Sequence, residues 1–288
     1  YVLTQKIERA KNFVHLPKLN ILKKIPQKPR YLLEISSRTA DFKSNFGTEI
    51  KYRYPSIHKV DELRRKDPTQ AEFFYKKIVK GIDDFENSLK NTSNFSLKDL
   101  KRFIDTGSFI DYILIQEISK NVDGYRRSVY FHLNKDHKIQ MGPLWDFNLA
   151  FGNLKFYLLG SHKGWLYNKE HIPHMSCFWF KSLLARQEFR QLLIRRYFSL
   201  RQKNQPLNFS YLEQFFDKTF QQMKDSAVKD NEIWSQRLNP IEHFILNTNI
   251  KSRSIESNIF ILKKWLAKRL EWIDLNIKNI LLRSRLDF

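Results

Sequence analysis

The chain has 288 residues, with 51 Lys and Arg against 30 Asp and Glu for a net charge of +21. A hydrophobic share of 42%, including 24 Phe, gives it enough apolar mass for a packed core and excludes a disordered chain. Its single cysteine, Cys177, excludes an internal disulfide framework and a cysteine-rich zinc module, and charges break every apolar run well before the ~18 residues of a membrane span.

Residues 1–60 read as short strands and turns. Tyr1-Val-Leu-Thr-Gln-Lys-Ile starts like the middle of a β-strand, with no signal peptide before it, so the natural N-terminus is expected upstream. Strands are expected at residues 31–35 and 50–54, the latter ended by Pro55, and Pro17, Pro26 and Pro29 punctuate the stretch between residues 7 and 31. From Pro68 the period changes: Phe73, Phe74, Ile78, Ile82 and Phe85 fall at helical spacing. After a polar break at residues 91–94, a short helix is expected over 96–104. A longer helix then runs to Lys120, capped by Ser108 with Asp111 near its positive end. Strands at 128–133 and 138–144 flank a polar turn at 134–137, making one β-hairpin. Beyond Gly164 the main elements are helices at 178–184, 189–200, 211–228 and 254–282. The stripe Ile255, Ile259, Leu262, Leu266, Ile273, Ile277 reads as core, anchored by Trp265 and Trp272. The fold class is therefore α+β, a small β-rich start at 1–60 followed by a large mostly helical part at 61–288 that carries the hairpin.

The positive charge is spread over residues 9–30, 51–66, 186–203 and 251–285 rather than held in one tail. It reads either as a solvated surface or as a face for polyanions. Zinc-finger spacing, RNP-like aromatic motifs and a basic zipper are all missing from the sequence, which argues against nucleic acid as the partner.

Chemistry concentrates between Asp111 and Gly152. A hairpin turning near residues 135 and 136 pairs residues whose numbers add to about 271, and Asp123 and Asp146 miss that register by only two, so hairpin closure is expected to return them to each other. Asn121 and Asn148 flank them, giving Asn-x-Asp on one side and Asp-Phe-Asn on the other. Two carboxylates and two amides at one hairpin end suit metal-assisted phosphoryl transfer, which needs hard oxygen ligands and a carboxylate to orient the attacking hydroxyl. Helix, Asp-bearing loop, hairpin and Asp-Phe is also the order of parts in protein-kinase catalytic segments. A His-Arg-Asp motif is missing, and Asn148 stands where a kinase has Gly. The structural alternative is an Asx-turn at Asp123-Gly124 and a cap at Asp146.

These residues resemble the spore coat protein H (CotH) kinase family. The resemblance rests on Ser108-Phe-Ile-Asp-Tyr, Lys120-Asn-Val-Asp-Gly-Tyr-Arg and Met141-Gly-Pro-Leu-Trp-Asp-Phe-Asn-Leu-Ala-Phe-Gly-Asn. It extends outward to residues 1–7, to Tyr31-Leu-Leu-Glu-Ile and to Leu262-Lys-Lys-Trp-Leu-Ala-Lys-Arg-Leu-Glu-Trp-Ile-Asp, covering essentially the whole chain. It implies an atypical protein-kinase-like fold that uses ATP and Mg²⁺ or Mn²⁺ to phosphorylate protein Ser or Thr hydroxyls. By motif, Asp123 is implied as the catalytic carboxylate and Asp146 as the metal ligand. Asn121 and Asn148 are added from chemistry as a further oxygen ligand or a hydroxyl-positioning group. Arg126 and Arg127 face phosphate in this reading, with a solvated or carboxylate-paired Arg as the alternative. Trp145, Phe147 and Phe151 read as packing around Asp146. The family also implies bacterial origin and an extracytoplasmic or spore-surface setting.

One departure bears on activity: no Gly-rich loop or P-loop precedes the hairpin, and neither Lys6 nor Lys11 fits a phosphate-holding motif. Residues 1–60 are accordingly expected to be the remnant of a truncated N-terminal lobe. A pseudokinase or basic protein-binding module is the rival reading. His171, His174 and Cys177 repeat at a spacing of three but are interrupted by Pro173 and lack a fourth ligand for Zn²⁺. The Asn-x-Ser/Thr matches at Asn91, Asn94 and Asn208 are chance-level.

Overall fold

Leu32, Leu33, Glu34 and Ile35 are all buried, a pattern that only a central strand satisfies. In a computed structural model of the chain, which describes residues 7, 14–18, 29–36, 39–90, 96–154, 160–168, 178–234 and 254–280, this strand (β1, Leu32–Ile35) lies in the middle of an antiparallel sheet. The sheet order is β2-β3-β1-β4-β5, with β2 at Phe42–Lys43, β3 at Glu49–Tyr54, β4 at Val129–Leu133 and β5 at Ile139–Met141. Glu34, buried in the central strand, is balanced by Arg53, whose Nε donates to Oε2 at 2.6 Å. The helices are α1 (Ile57–Lys66), α2 (Pro68–Lys90), α3 (Leu97–Leu100), α4 (Thr106–Ser119), α5 (Phe178–Leu184), α6 (Gln187–Arg201), α7 (Phe209–Trp234) and α8 (Ile255–Asn276).

The chain gathers into two compact units, one of residues 1–112, 123–145 and 170–183, the other of residues 113–122, 146–169 and 184–288. In the first unit, α2 begins on Pro68 after Asp67, whose Oδ1 accepts the Gln70 N–H at 2.9 Å. Phe74, Ile78, Ile82, Phe85 and Leu89 then fall on one buried stripe. The α5 aromatics complete this core. Trp179 meets Phe85 and Phe131 edge-on with ring centroids 5.0 and 5.2 Å apart, and Phe180 lies 4.9 Å from Tyr125. Such aromatic pairs contribute about 0.5–1.5 kcal/mol each beyond their buried area.

In the second unit, Phe189, Leu193 and Tyr197 of α6 are fully buried at a spacing of four. Leu193 lines one small cavity with Ile273 and Ile277, and Tyr197 donates its hydroxyl to Asp274 at 2.7 Å. The C-terminal half of the α8 stripe is core, with Leu266, Ile273 and Ile277 buried, whereas Ile255, Ile259 and Leu262 are only half-buried.

Several local expectations are corrected. α1 and β2 are additional elements: α1 buries only Val60 and Leu63 along a charged sequence, and β2 is two residues long, so neither leaves a strong apolar period. The short helix spans only Leu97–Leu100, opened by a Ser96–Asp99 capping box, and the chain then forms a parallel bridge from Ile104 to Ile139. The cap of α4 is Asp105, not Ser108. Asp105 Oδ1 accepts the Ser108 N–H at 3.0 Å, while the Ser108 hydroxyl donates to the Asp105 carbonyl and accepts the Met141 N–H. The second hairpin strand ends at Met141 because Gly142 takes φ +107° and Pro143 has no N–H for the ladder. The expected first strand, Asn91, Asn94, and the His171, His174, Cys177 group lie outside the described residues, apart from Ile7.

Candidate active site

The hairpin holds its register through Phe131↔Met141, His132↔Gln140 and Leu133↔Ile139, numbers that add to 272 against the expected 271. Its turn is fixed by Asn134, whose Oδ1 accepts the N–H groups of Asp136 and Lys138 at 2.9 and 3.0 Å. Beyond the ladder both flanking acids sit in irregular backbone, Asp123 in the first unit and Asp146 in the second.

Asp123 heads a tight turn. Its carbonyl accepts the N–H groups of Arg126 and Arg127 at 3.1 and 3.0 Å. Its half-buried carboxylate receives both Arg126 Nε and a terminal guanidinium nitrogen, each at 2.9 Å, on the single oxygen Oδ1. Arg126 therefore takes the carboxylate-paired alternative. The turn is anchored from both sides: Tyr125 is fully buried against Phe180, and the Tyr112 hydroxyl donates to the Gly124 carbonyl at 2.7 Å. A short charge-assisted fork of this kind fixes the carboxylate's direction.

Asp146 adopts φ +52°, the left-handed region that Asp enters when its side chain bonds locally. Its Oδ1 accepts the Asn148 N–H at 3.3 Å, and its own carbonyl accepts Asn121 Nδ2 at 3.1 Å. Asn121 is 2% exposed, so this amide is a fixed brace, while the Asp146 and Asn148 side chains are exposed. The following turn is tied down by the Phe151 N–H on the Ser119 carbonyl at 2.7 Å and by Asn153 Nδ2 on the Asn148 carbonyl at 2.8 Å. Gly152 is required twice over: its φ is +80°, and a Cβ there would lie 2.5 Å from the Trp265 ring. Phe147, Phe151 and Trp265 form a ring contact series in the second unit, while Trp145 packs on the Val14, Leu16, Leu32, Tyr130 cluster of the first.

Sequence reasoning passed over the group beneath this segment. Glu117 is 2% exposed and accepts the Leu166 and Tyr167 N–H groups at 2.7 and 2.8 Å. Arg269, fully buried, donates Nε and a terminal nitrogen to the Glu117 carbonyl at 3.0 and 2.7 Å and lies 3.6 Å from its carboxylate. Its guanidinium stacks 4.9 Å from the Trp272 ring centroid and 5.7 Å from that of Trp165. Lys120, 2% exposed and in left-handed φ +49°, sends its ammonium to the Ser161 and Lys163 carbonyls. The available signal was charge out of pattern: a Glu and a Lys soon after the apolar run Tyr112-Ile-Leu-Ile115, and an Arg inside a core stripe between two Trp.

Asp146 presents an exposed carboxylate, with the exposed Asn148 two residues on. That fits a hard divalent cation such as Mg²⁺, which keeps waters and is shared with substrate phosphates. Among the described residues no group of three or more His, Cys, Asp or Glu is clustered as an all-protein cage, and no helix is long and apolar enough to cross a membrane. A family model described as CotH kinase protein matches residues 1–273 of the 288-residue chain. No curated protein matches the chain.

Proposed function

The chain belongs to the CotH kinase family, and from that membership we propose that it is an ATP-dependent protein kinase acting on Ser or Thr hydroxyls of a protein substrate. The observation that carries the reading is Asp146: an exposed carboxylate on left-handed backbone, braced by a buried amide. In this reading residues 1–60 are the remnant of an N-terminal lobe and residues 61–288 the helical lobe of an atypical protein-kinase-like fold. Asp146, with Asn148 beside it, would hold Mg²⁺ or Mn²⁺, which supplies charge neutralisation on the transferring phosphoryl group when bound. Asn121 positions Asp146. Asp123 accepts the hydrogen bond of the acceptor hydroxyl and takes its proton as the new O–P bond forms and the bond to ADP breaks. Arg126 orients Asp123 and offers its remaining N–H groups to nucleotide phosphate. An extracytoplasmic or spore-surface setting goes with this assignment.

The rival, a pseudokinase serving as a basic protein-binding module, draws on one observation: the Asp123 carboxylate is already engaged by Arg126. The test is transfer of labelled γ-phosphate from ATP to a Ser-rich acidic protein with Mg²⁺ or Mn²⁺. It is paired with thermal unfolding of the chain and of its Asp123→Asn and Asp146→Asn variants. The expected result is metal-dependent transfer lost in both variants, with ATP at about 100 times its Kd adding roughly 2.7 kcal/mol to the wild type. Absence of both transfer and metal-dependent stabilisation refutes the kinase reading in favour of the binding module.

A further inference from the structure

The Arg126 fork joins residues only three apart, so it sets the Asp123 carboxylate relative to its own turn. The direction of the turn is a separate matter, because its second residue is Gly124, whose backbone resists rotation least. Distant groups supply that restraint. Gly124 is buried, and its carbonyl accepts the Tyr112 hydroxyl of α4 at 2.7 Å. The Tyr112 ring, itself buried, stacks on Phe180 of α5 with centroids 5.6 Å apart and planes at 17°. Phe180 is fully buried and also lies against Tyr125, the residue after Gly124, at 4.9 Å. Tyr112, Phe180, Tyr125 and Gly124 thus close a circuit beside Asp123, all within the first unit.

Fixing a ring by stacking fixes the place of its hydroxyl. A phenylalanine at position 112 would stack equally well; the hydroxyl adds a bond to the residue next to Asp123. We propose that Tyr112 is a positioning residue: its hydroxyl, aimed by Phe180, holds the turn at Gly124. It thereby sets the direction in which Asp123 and its Arg126 fork face a substrate. A carboxylate that must meet an acceptor hydroxyl at hydrogen-bond distance tolerates little displacement, and a shift of about 1 Å can cost a hundredfold in rate. The effect on phosphoryl transfer rests on the kinase reading above, whereas the effect on the fork does not.

The test is Tyr112→Phe, which keeps the ring and its stack and removes the bond to Gly124. Its control, Ser88→Ala, removes another buried hydroxyl-to-carbonyl bond of the same unit, from Ser88 to Phe85 at 2.6 Å. The first readout is solvent exchange of the Arg126 Nε–H, followed by NMR in the full chain with isotope-labelled arginine and assigned by its loss in Arg126→Lys. Exchange should quicken about three- to tenfold in Tyr112→Phe, the worth of one neutral hydrogen bond, and keep the wild-type rate in Ser88→Ala. The second readout is steady-state phosphoryl transfer from ATP. Tyr112→Phe should lower kcat about ten- to hundredfold with KM for ATP unchanged, and Ser88→Ala should keep both. A general loosening of the fold would move the two variants alike. Wild-type exchange or wild-type kcat in Tyr112→Phe overturns the proposal, as does an equal change of exchange in Ser88→Ala. A wild-type chain that transfers no phosphate refutes the kinase reading instead, and the exchange measurement then decides the positioning role by itself.

Discussion

Replacing Arg269 by methionine keeps most of the side-chain volume and removes the guanidinium. In the folded chain that group makes four hydrogen bonds of 2.7–3.0 Å to the carbonyls of Glu117, His162 and Gly164, beside the Glu117 carboxylate at 3.6 Å. Glu117 retains the Leu166 and Tyr167 N–H groups, so its charge is not stranded, but it loses the guanidinium 3.6 Å from its carboxylate. Breaking a fully buried pair in this way costs about 3–5 kcal/mol. At roughly 3 °C per kcal/mol for a large domain, Tm should fall on the order of 10 °C. Glu117→Gln alone should cost less, and the double variant should be more stable than the sum of the two by about 1–3 kcal/mol, since the partners share one network. Chemical denaturation of the four proteins measures this directly. A loss under about 1 kcal/mol in Arg269→Met, or strict additivity with Glu117→Gln, would refute the reasoning that one buried cation ties the 161–164 loop to α4.

Gly152→Ala places a Cβ against Trp265 on a backbone with φ +80°, and should cost about 2 kcal/mol or more, visible in Tm and as a change in indole emission. Asp105→Ala should remove the α4 cap for about 1 kcal/mol; equal stability of Asp105→Ala and wild type would return the cap to Ser108. Burial of Glu86, with its hydrogen bonds to Thr48 and Trp179 opposing, raises its carboxyl above the ordinary range. The folded state therefore holds this proton more tightly than the unfolded one, and the stability it contributes is present at low pH and lost as pH rises through the folded value. Wild type should lose stability relative to Glu86→Gln as pH is raised from the carboxylate range towards neutrality, and parallel stability curves would exclude this. Burial lowers the His132 imidazole, so its contribution is present above the ordinary imidazole value and lost as pH falls below it; His132→Gln should flatten the unfolding midpoint between about pH 5 and 7.

Local patterns carried much of the architecture into the sequence. The Phe74–Leu89 stripe repeats every three or four residues and became α2, and Asn134 with its polar neighbours specified a turn that set the hairpin register to within one residue. The α4 cap was misread because Ser108 and Asp105 are both good capping residues three apart, and only the Ser108 hydroxyl's bond to the Met141 N–H, 33 residues away, separates them. α1 was hidden by composition, since two buried side chains in ten give no clear period. Around the candidate site, Asp123, Asp146 and their amides were legible as residue types, but the Arg126 fork, the Asn121 brace and the Glu117–Arg269 layer were not. Those contacts join residues from 3 to 152 positions apart, and single-sequence spacing encodes only the nearest of them.

The sheet's margins govern how this chain meets its neighbours. On one side β5 is closed off by its own chain, the Ile139 N–H going to the Phe103 carbonyl and the Ile139 carbonyl receiving the Asp105 N–H. On the other, β2 is two residues long and carries Lys43, paired with Glu49 at 2.9 Å. Among the described residues a foreign strand thus finds no long flat ladder on which to zip, a safeguard for a Phe-rich chain during synthesis. Recruitment of other proteins by strand addition is disfavoured at both borders, and selectivity for partners falls to side chains and surface charge.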